Sequence, residues 1–302
     1  MKITITGANS TVGLHLLMRL ADEDDVDVAA CVRSKAAYQS VFWENPWPRV
    51  TPWLVGYRDA EGLREAMRNA DAVIHLAGIL IEGRGTTYES ANVATAEAVA
   101  RAAAEAGAAH LLQVSVIGAD TRSANRYFRT KGQAEDLFLA SGVPATILRT
   151  PILLGEGTAG AAALGRTVRA GKARLLGGGT YTMRPLDADD LCAAILAVCR
   201  ARPSVSSVHE LVGPEPLTYR ALVERAARTA GVPVSMGTTP IVLAKAGAWL
   251  RSRFKEGGVN PTVIDVITRD EVVERNADAE LGITLTPLDV TLKKSLEAVL
   301  AT

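Results

Sequence analysis

This chain of 302 residues has three cysteines, four histidines and only 5% aromatic residues. Cys31, Cys192 and Cys199 form no Cys-x-x-Cys pair and have no histidine cluster around them, so no metal site is expected and the thiols read as free. Charge of one sign is also missing. Lys plus Arg and Asp plus Glu both number 33, and no block of like charge stands out, which argues against nucleic acid as a partner. No apolar run approaches the ~20 residues of a membrane-spanning helix. The first strand-like run begins at Lys2, which leaves no room for a signal peptide. A cytoplasmic protein is the expectation.

Hydrophobic residues are plentiful, at 48%, and much of that is alanine, which favours close packing of helices on a sheet. The runs KITIT, VDVAAC, VTPWLV, AVIHLA, HLLQVS and ATILR read as buried strands. Helical patterns lie between them. AEGLREAMRNA sets Leu63, Ala66, Met67 and Ala70 on one face, and TYESANVATAEAVARAAAEAG reads as one long helix ending at Gly107. This alternation predicts an α/β fold, a doubly wound parallel sheet of the Rossmann type. Past Gly155 the pattern loosens into a glycine-punctuated excursion. DADDLCAAILAVCR and VHELVG then return to the sheet, and a smaller, mostly helical part follows from Pro214. The expected division is residues 1–155 with about 185–213 as a nucleotide-binding domain, and 156–184 with 214–302 as a substrate lobe.

KITIT runs directly into TGANSTVG, and VGLHLLMRLAD follows as a helix. A strand, a tight turn and a helix N-terminus present free N–H groups and a positive dipole end to a pyrophosphate. Gly7 allows the turn and Gly13 allows close helix–strand packing. Ser10 stands where the usual middle glycine would be, and its hydroxyl is a candidate phosphate donor. A plain strand–turn–helix without ligand is the competing reading. At the end of the second strand no carboxylate is placed to bond a ribose 2′-hydroxyl. Arg33 stands there with Lys35 nearby, which favours a 2′-phosphate and therefore NADP(H) over NAD(H). Tyr127 and Lys131 lie four apart in RYFRTKGQAED and share a helix face. An ammonium beside a phenol lowers the phenol's pKa, and such a tyrosine can exchange a proton with a substrate oxygen. Ser115, at the carboxyl end of HLLQVS, is the candidate to hold that oxygen.

In order, TGANSTVG, DAVIHLAG, QVSVIGAD, RYFRTKGQAED, ATILRTPILLG and RPLDADDL resemble the short-chain dehydrogenase/reductase superfamily. Within it, the chain is similar to the extended and atypical epimerase/dehydratase branch that includes the nucleotide-binding accessory subunit of respiratory complex I. The resemblance covers nearly the whole chain. It implies catalytic roles for Ser115, Tyr127 and Lys131, with Asn92 as the supporting asparagine. It implies cofactor contacts from Gly7, Asn9, Ser10, Thr11, Val12, Gly13, Arg33, Lys35, Leu76, Ala77, Gly78, Tyr127, Lys131, Thr150, Pro151 and Ile152. Three positions depart from the family pattern: Ser10, Tyr57 in place of an adenine-contacting aspartate, and RTP in place of an Arg-Pro pair at Arg149.

Other residues have blander readings. His75 reads as a satisfied core histidine, and His15, His110 and His209 lack sequence partners for a relay. Arg126 and Arg129 read as solvated helix charges. Asp187, Asp189 and Asp190 read as a helix cap. PIVLAKAGAWLRSRFK is amphipathic with a basic end. Packing within the small lobe or lining a cleft is expected of it, ahead of lying on a membrane or a partner. The functional expectation is an NADP(H)-dependent oxidoreductase acting on a small organic substrate. The alternatives are a non-catalytic NADPH-binding accessory or sensor protein and, third, a sugar-nucleotide epimerase or dehydratase. A homodimer and association with a larger complex both stay open.

Overall fold

Strand β1 (Lys2–Thr6) begins the chain in the computed structural model, which describes residues 1–302 except 22, 44–46, 254–256 and 301–302, and omits the side chains of 298–300. It is followed by α1 (Thr11–Leu20), β2 (Asp27–Val32), α2 (Lys35–Phe42), β3 (Val50–Leu54), α3 (Ala60–Met67) and β4 (Ala72–His75). Then come α4 (Ala94–Glu105), β5 (Leu111–Val116), α5 (Arg126–Leu139) and β6 (Ala145–Thr150). The short β7 (Leu153–Leu154), α6 (Ala159–Arg169), β8 (Lys172–Leu176), β9 (Thr182–Met183) and β10 (Leu186–Asp187) precede α7 (Ala188–Ala201) and β11 (Ser207–Glu210). The chain continues through β12 (Leu217–Thr218), α8 (Tyr219–Ala230), β13 (Ser235–Thr239), α9 (Ile241–Ser252), α10 (Pro261–Ile267) and α11 (Leu288–Leu300).

Seven strands form one parallel sheet in the order β11-β6-β5-β4-β1-β2-β3. The order reverses at β1, where β4 lies on one side and β2 on the other. A crevice opens at such a switch point, beyond the carboxyl ends of the strands. Successive strand residues face opposite sides, so Ile74 joins a core with Leu16, Leu17, Leu191 and Ile195, while Val73 joins another with Leu63, Met67, Val99 and Phe138. Burying each such side chain contributes about 1.5–3 kcal/mol, which is why strands covered on both faces are apolar throughout. The six strands read in the sequence all form, and VHELVG supplies β11 at the sheet edge.

A third core joins Leu164 and Val168 of α6, Leu175 of β8, Leu222 and Ala226 of α8, and Leu288 and Leu292 of α11. The segment carrying Leu281, Ile283 and Leu285 packs instead on the first core, so it sits with the sheet. Three local features differ from the sequence reading. The excursion after Gly155 is ordered: Thr158 caps α6 by accepting from Ala161 N, and β8 pairs with β13. The part after Pro214, expected to be mostly helical, also carries two strands, β12 paired with β9 and β13 paired with β8. The long helix after Thr87 begins with a π-helical turn, Glu89–Val93, before α4.

Candidate functional site

The first strand–helix junction is built as its glycines require. Gly7 sits at φ +76°, and a Cβ there would lie 3.0 Å from Ala77 N. At Gly13 a Cβ would lie 2.5 Å from Ala8 O, so α1 approaches the turn as closely as only glycine permits. Ser10 is the N-cap of α1, and its Oγ accepts from Gly13 N at 3.1 Å. The hydroxyl proton stays available for an anion beyond the helix end. Thr11 donates to Gly157 O, 3.3 Å away, which ties this loop to the segment after β7.

A cleft follows the carboxyl edge of the sheet, lined by Gly7, Asn9, Ser10, Arg33, Leu76, Ala77 and Gly78 among others. Arg33 lies at the end of β2 on the cleft wall. Lys35 is exposed as the first residue of α2 and does not line the cleft, nor do Thr11, Val12 and Gly13. Tyr57 forms part of the wall, edge-on to His75 with ring centroids 6.1 Å apart, and burial pushes its phenol up. His75 bonds Thr6 at 2.8 Å and is pushed down to about 3, first by burial and then by the Lys131 charge, so it is a neutral core residue.

Asn92 lies in the π-helical turn, a feature that often marks functional sites. Its Oδ1 accepts from Ile79 N at 3.0 Å and its Nδ2 donates to Thr130 Oγ1 at 3.1 Å. It thereby fixes the turn after β4 against α5. A Cβ on Gly78 would lie 3.2 Å from Asn92 Oδ1 and 3.9 Å from Lys131 Nζ, so the glycine keeps open a polar recess at this point of the cleft. Lys131 is buried, donates to Val114 O at 3.0 Å, and is pushed down to about 8 by burial, with Glu135 opposing.

A second cavity of about 420 Å³ adjoins the first. Gly78 and Ile79 line the first cleft and Leu80 lines the second, so a single turn borders both. The second is walled by Val116, Ile117, Tyr127, Pro151, Ile152 and the stacked pair Tyr181 and Tyr219. Tyr127 packs its ring on Tyr88 and Phe128. Its hydroxyl has no hydrogen-bond partner among the described residues. Its phenol is pushed up by burial and by Tyr88, contrary to the expectation of lowering by Lys131. The apolar rings around it disfavour the phenolate more than the ammonium one helical turn away favours it.

Ser115 is not brought to this cavity. Its hydroxyl donates to Glu135, and Arg149 holds the same carboxylate at 2.6 Å, so the strand-end residues facing the cavity are Val116 and Ile117. Thr150 is likewise buried, donating to Ser115 O at 3.3 Å. Glu135 was missed in the sequence although it lies four residues after Lys131 on the buried face of α5. Arg174 and Arg269 were missed as well. Both line the second cavity, Arg269 with its guanidinium 4.8 Å over the Phe128 ring, and they come from segments too remote for any spacing to reveal.

Asp187 is the cap of α7, as expected. Asp189 instead pairs with His15 Nδ1 at 2.8 Å and with Lys294 at 2.8 Å, a contact across three helices that sequence reading did not find. Asp190 accepts from both N and Oγ1 of Thr286. Arg126 pairs with Glu82 and Glu89, and Arg129 donates to Ser123 O. Among the described residues, no group of His, Cys, Asp or Glu could hold a metal ion. The buried thiols Cys31, Cys192 and Cys199 are each pushed up to about 12 by burial.

A glycine turn into a capped helix, a switch-point cleft and a parallel sheet with helices on both faces define a dinucleotide-binding α/β protein. The chain belongs to the NAD(P)H-binding family, which matches residues 7–175. It is 30% identical over 224 residues to the mitochondrial NADH dehydrogenase [ubiquinone] 1 alpha subcomplex subunit 9 of Arabidopsis thaliana, covering 73% of this chain and 56% of that protein. It is 30% identical over 200 residues to the ceramide reductase of Caulobacter vibrioides, covering 66% of this chain and 61% of that one. The matches thus span a little over half of each relative. In structure, the UDP-glucuronic acid 4-epimerase of Bacillus cereus in complex with NAD superposes with a TM-score of 0.77 at 16% identity, over 100% of this chain and 99% of that one, and so shares the fold. The family match makes the chain an NAD(P)H-binding protein, and the structural match gives its fold.

Proposed function

We propose that this protein is an NADP(H)-dependent oxidoreductase that reduces a carbonyl group, with Tyr127 as the general acid. One observation carries the reading: the Tyr127 hydroxyl is unpartnered and faces an apolar cavity, one helical turn from an ammonium buried beside the cofactor cleft. NADPH, when bound, supplies the hydride to the carbonyl carbon. Tyr127 Oη gives its proton to the substrate oxygen, and the Lys131 ammonium stabilises the phenolate that is left until solvent reprotonates it. Burial keeps Tyr127 protonated, which is the state a general acid needs. Ser10 Oγ and the N–H groups at the start of α1 suit a pyrophosphate, and Arg33 suits a 2′-phosphate. The largely apolar walls, with Arg174, Arg269, Asp270 and Glu271 among them, suit a substrate that joins an apolar body to a polar group.

A second reading has one observation in its favour. Ser115 turns away from the cavity, so of the expected Ser115, Tyr127 and Lys131 set only Tyr127 lines it, and one relative is a complex I subunit. In that reading the protein is an accessory or sensor that holds NADPH without turnover. Oxidation of NADPH against a panel of aldehydes and ketones decides between the two. Turnover supports the enzyme, whereas tight NADPH binding with no carbonyl-dependent oxidation supports the accessory role.

A further inference from the structure

Helix α9 is attached to the protein through Ile241, Ala244 and Ala248. Ala248 is buried, Ile241 and Ala244 are half-buried, and the Ile241 side chain packs against Gly177. At 3.6 residues per turn, Val242, Leu243, Ala246, Gly247, Trp249 and Leu250 share the opposite arc, and all six are exposed. Val242 is 77% exposed, Leu243 65%, Leu250 55% and Trp249 52%. A helix bounded by water places its apolar stripe inward and its polar face outward, the reverse of what α9 does. A contiguous apolar surface of this kind marks a contact with something other than water.

The charge around this face selects the occupant. Residues 240–253 include Lys245, Arg251 and Arg253 and no acidic residue. Lys245 is paired with Asp265. Arg251 and Arg253 have no acidic partner among the described residues, and the Arg253 guanidinium lies 4.3 Å over the Trp249 ring. A second copy of the same face would bring no carboxylate to these cations. An anionic phospholipid surface supplies both an acyl layer for Val242, Leu243 and Leu250 and phosphates for Arg251 and Arg253. Trp249 suits the boundary between them, where its amphipathic ring and a basic neighbour are most stable.

The geometry points to α9 as a docking helix that lies in the surface of an anionic bilayer without spanning it. Among the described residues no helix is long and apolar enough to cross a membrane, and α9 has only 12 residues, so its contact is in the plane of the surface. Docking also orients the second cavity. α9 packs on α10, whose Val266 and Ile267 line that cavity, and its Ile241 end abuts the turn after Leu176, another wall residue. The docking does not depend on the oxidoreductase reading, because it requires neither turnover nor a bound nucleotide.

The test is flotation of the full chain with vesicles of phosphatidylcholine alone and of phosphatidylcholine with phosphatidylglycerol. The expected result is binding to the anionic vesicles, weakened by salt. Leu243→Glu with Trp249→Glu should lower the partition coefficient by more than about tenfold, while NADPH affinity and far-ultraviolet circular dichroism stay unchanged. Arg251→Glu with Arg253→Glu should remove the preference for the anionic lipid. Failure of the wild-type chain to float with anionic vesicles overturns the inference, as does equal flotation of the Leu243/Trp249 variant. A wild-type dimer that this variant converts to monomer, without vesicle binding, would assign the face to a second copy.

Discussion

The Ser115 hydroxyl donates to the carboxylate of Glu135, a residue four positions beyond Lys131 on the same buried helix face. Arg149 closes that carboxylate from the other side. Ser115 is therefore a positioning residue, holding the end of β5 against α5. Ser115→Ala should cost about 1 kcal/mol of stability through the lost hydrogen bond, with a fall in turnover of no more than about threefold. Urea melts and steady-state kinetics read the two effects. A loss of turnover as large as that of a Tyr127 variant, at unchanged stability, would return Ser115 to the substrate.

Gly13→Ala should destabilise the protein by about 1–3 kcal/mol, the usual range for overpacking. The new methyl would meet the Ala8 carbonyl oxygen at 2.5 Å, and the three nearest atoms are all Ala8 backbone, so α1 has to shift. Because Ser10, the cap of α1, lines the cleft, nucleotide affinity should fall with stability. Thermal melts with and without NADPH check this, and an unaltered melting temperature would show that α1 is less tightly fixed than described.

In the proposed mechanism Lys131 serves function at a cost in stability. Burial lowers it from 10.5 to about 8. Between those values the unfolded chain holds a proton that the folded chain has lost, so this group's contribution makes stability rise with pH across that window. Below about pH 8 the penalty is fully present. Lys131→Met should then stabilise the apoprotein at pH 7 by about 1–3 kcal/mol, the hydrogen bond to Val114 O being lost. That gain should shrink towards pH 10, and turnover should fall. In the free wild-type enzyme, kcat/KM for reduction should decline as pH rises through about 8, where the supporting cation is lost. Denaturant midpoints from pH 7 to 10 test the linkage, and a variant destabilised at every pH contradicts it.

Arg33 carries the expected choice of cofactor. It lines the cleft at the end of β2, with no carboxylate at that position. Arg33→Glu should weaken NADPH by about 10–100-fold, the range of a lost charge-assisted contact, and leave NADH binding equal or better. Fluorescence titration of both nucleotides measures it. If NADH already binds the wild-type protein more tightly, the 2′-phosphate reading of Arg33 fails.

Local chemistry makes much of this legible in the sequence. A strand, and Gly7 and Gly13 on either side of a turn, are written in consecutive residues, and they form the expected junction; that Ser10 Oγ caps α1 emerges only from the structure. Tyr127 and Lys131 are one helical turn apart, so their shared face follows from the helix period alone. What lay hidden depends on side-chain direction or on remote segments. Nothing in the alternation of β5 told whether the Ser115 hydroxyl would meet the cavity or Glu135. The π-helical turn at Asn92 is invisible to a pattern of period 3.6. Asp189 meets His15 and Lys294 across 174 and 105 residues of chain. The inverted orientation of α9 escaped because an amphipathic pattern gives a stripe without saying which way it faces.

The most direct measurement is NADPH oxidation by the Tyr127→Phe variant under single-turnover conditions, with a carbonyl substrate that the wild-type protein reduces. The phenyl ring keeps the packing on Tyr88 and Phe128 and removes only the proton donor. The expected result is a rate lower by about 10²–10⁴-fold, the usual contribution of a general acid, with NADPH affinity unchanged. An equal rate in the variant would contradict the assignment of Tyr127 and, with it, the oxidoreductase mechanism built on this cavity.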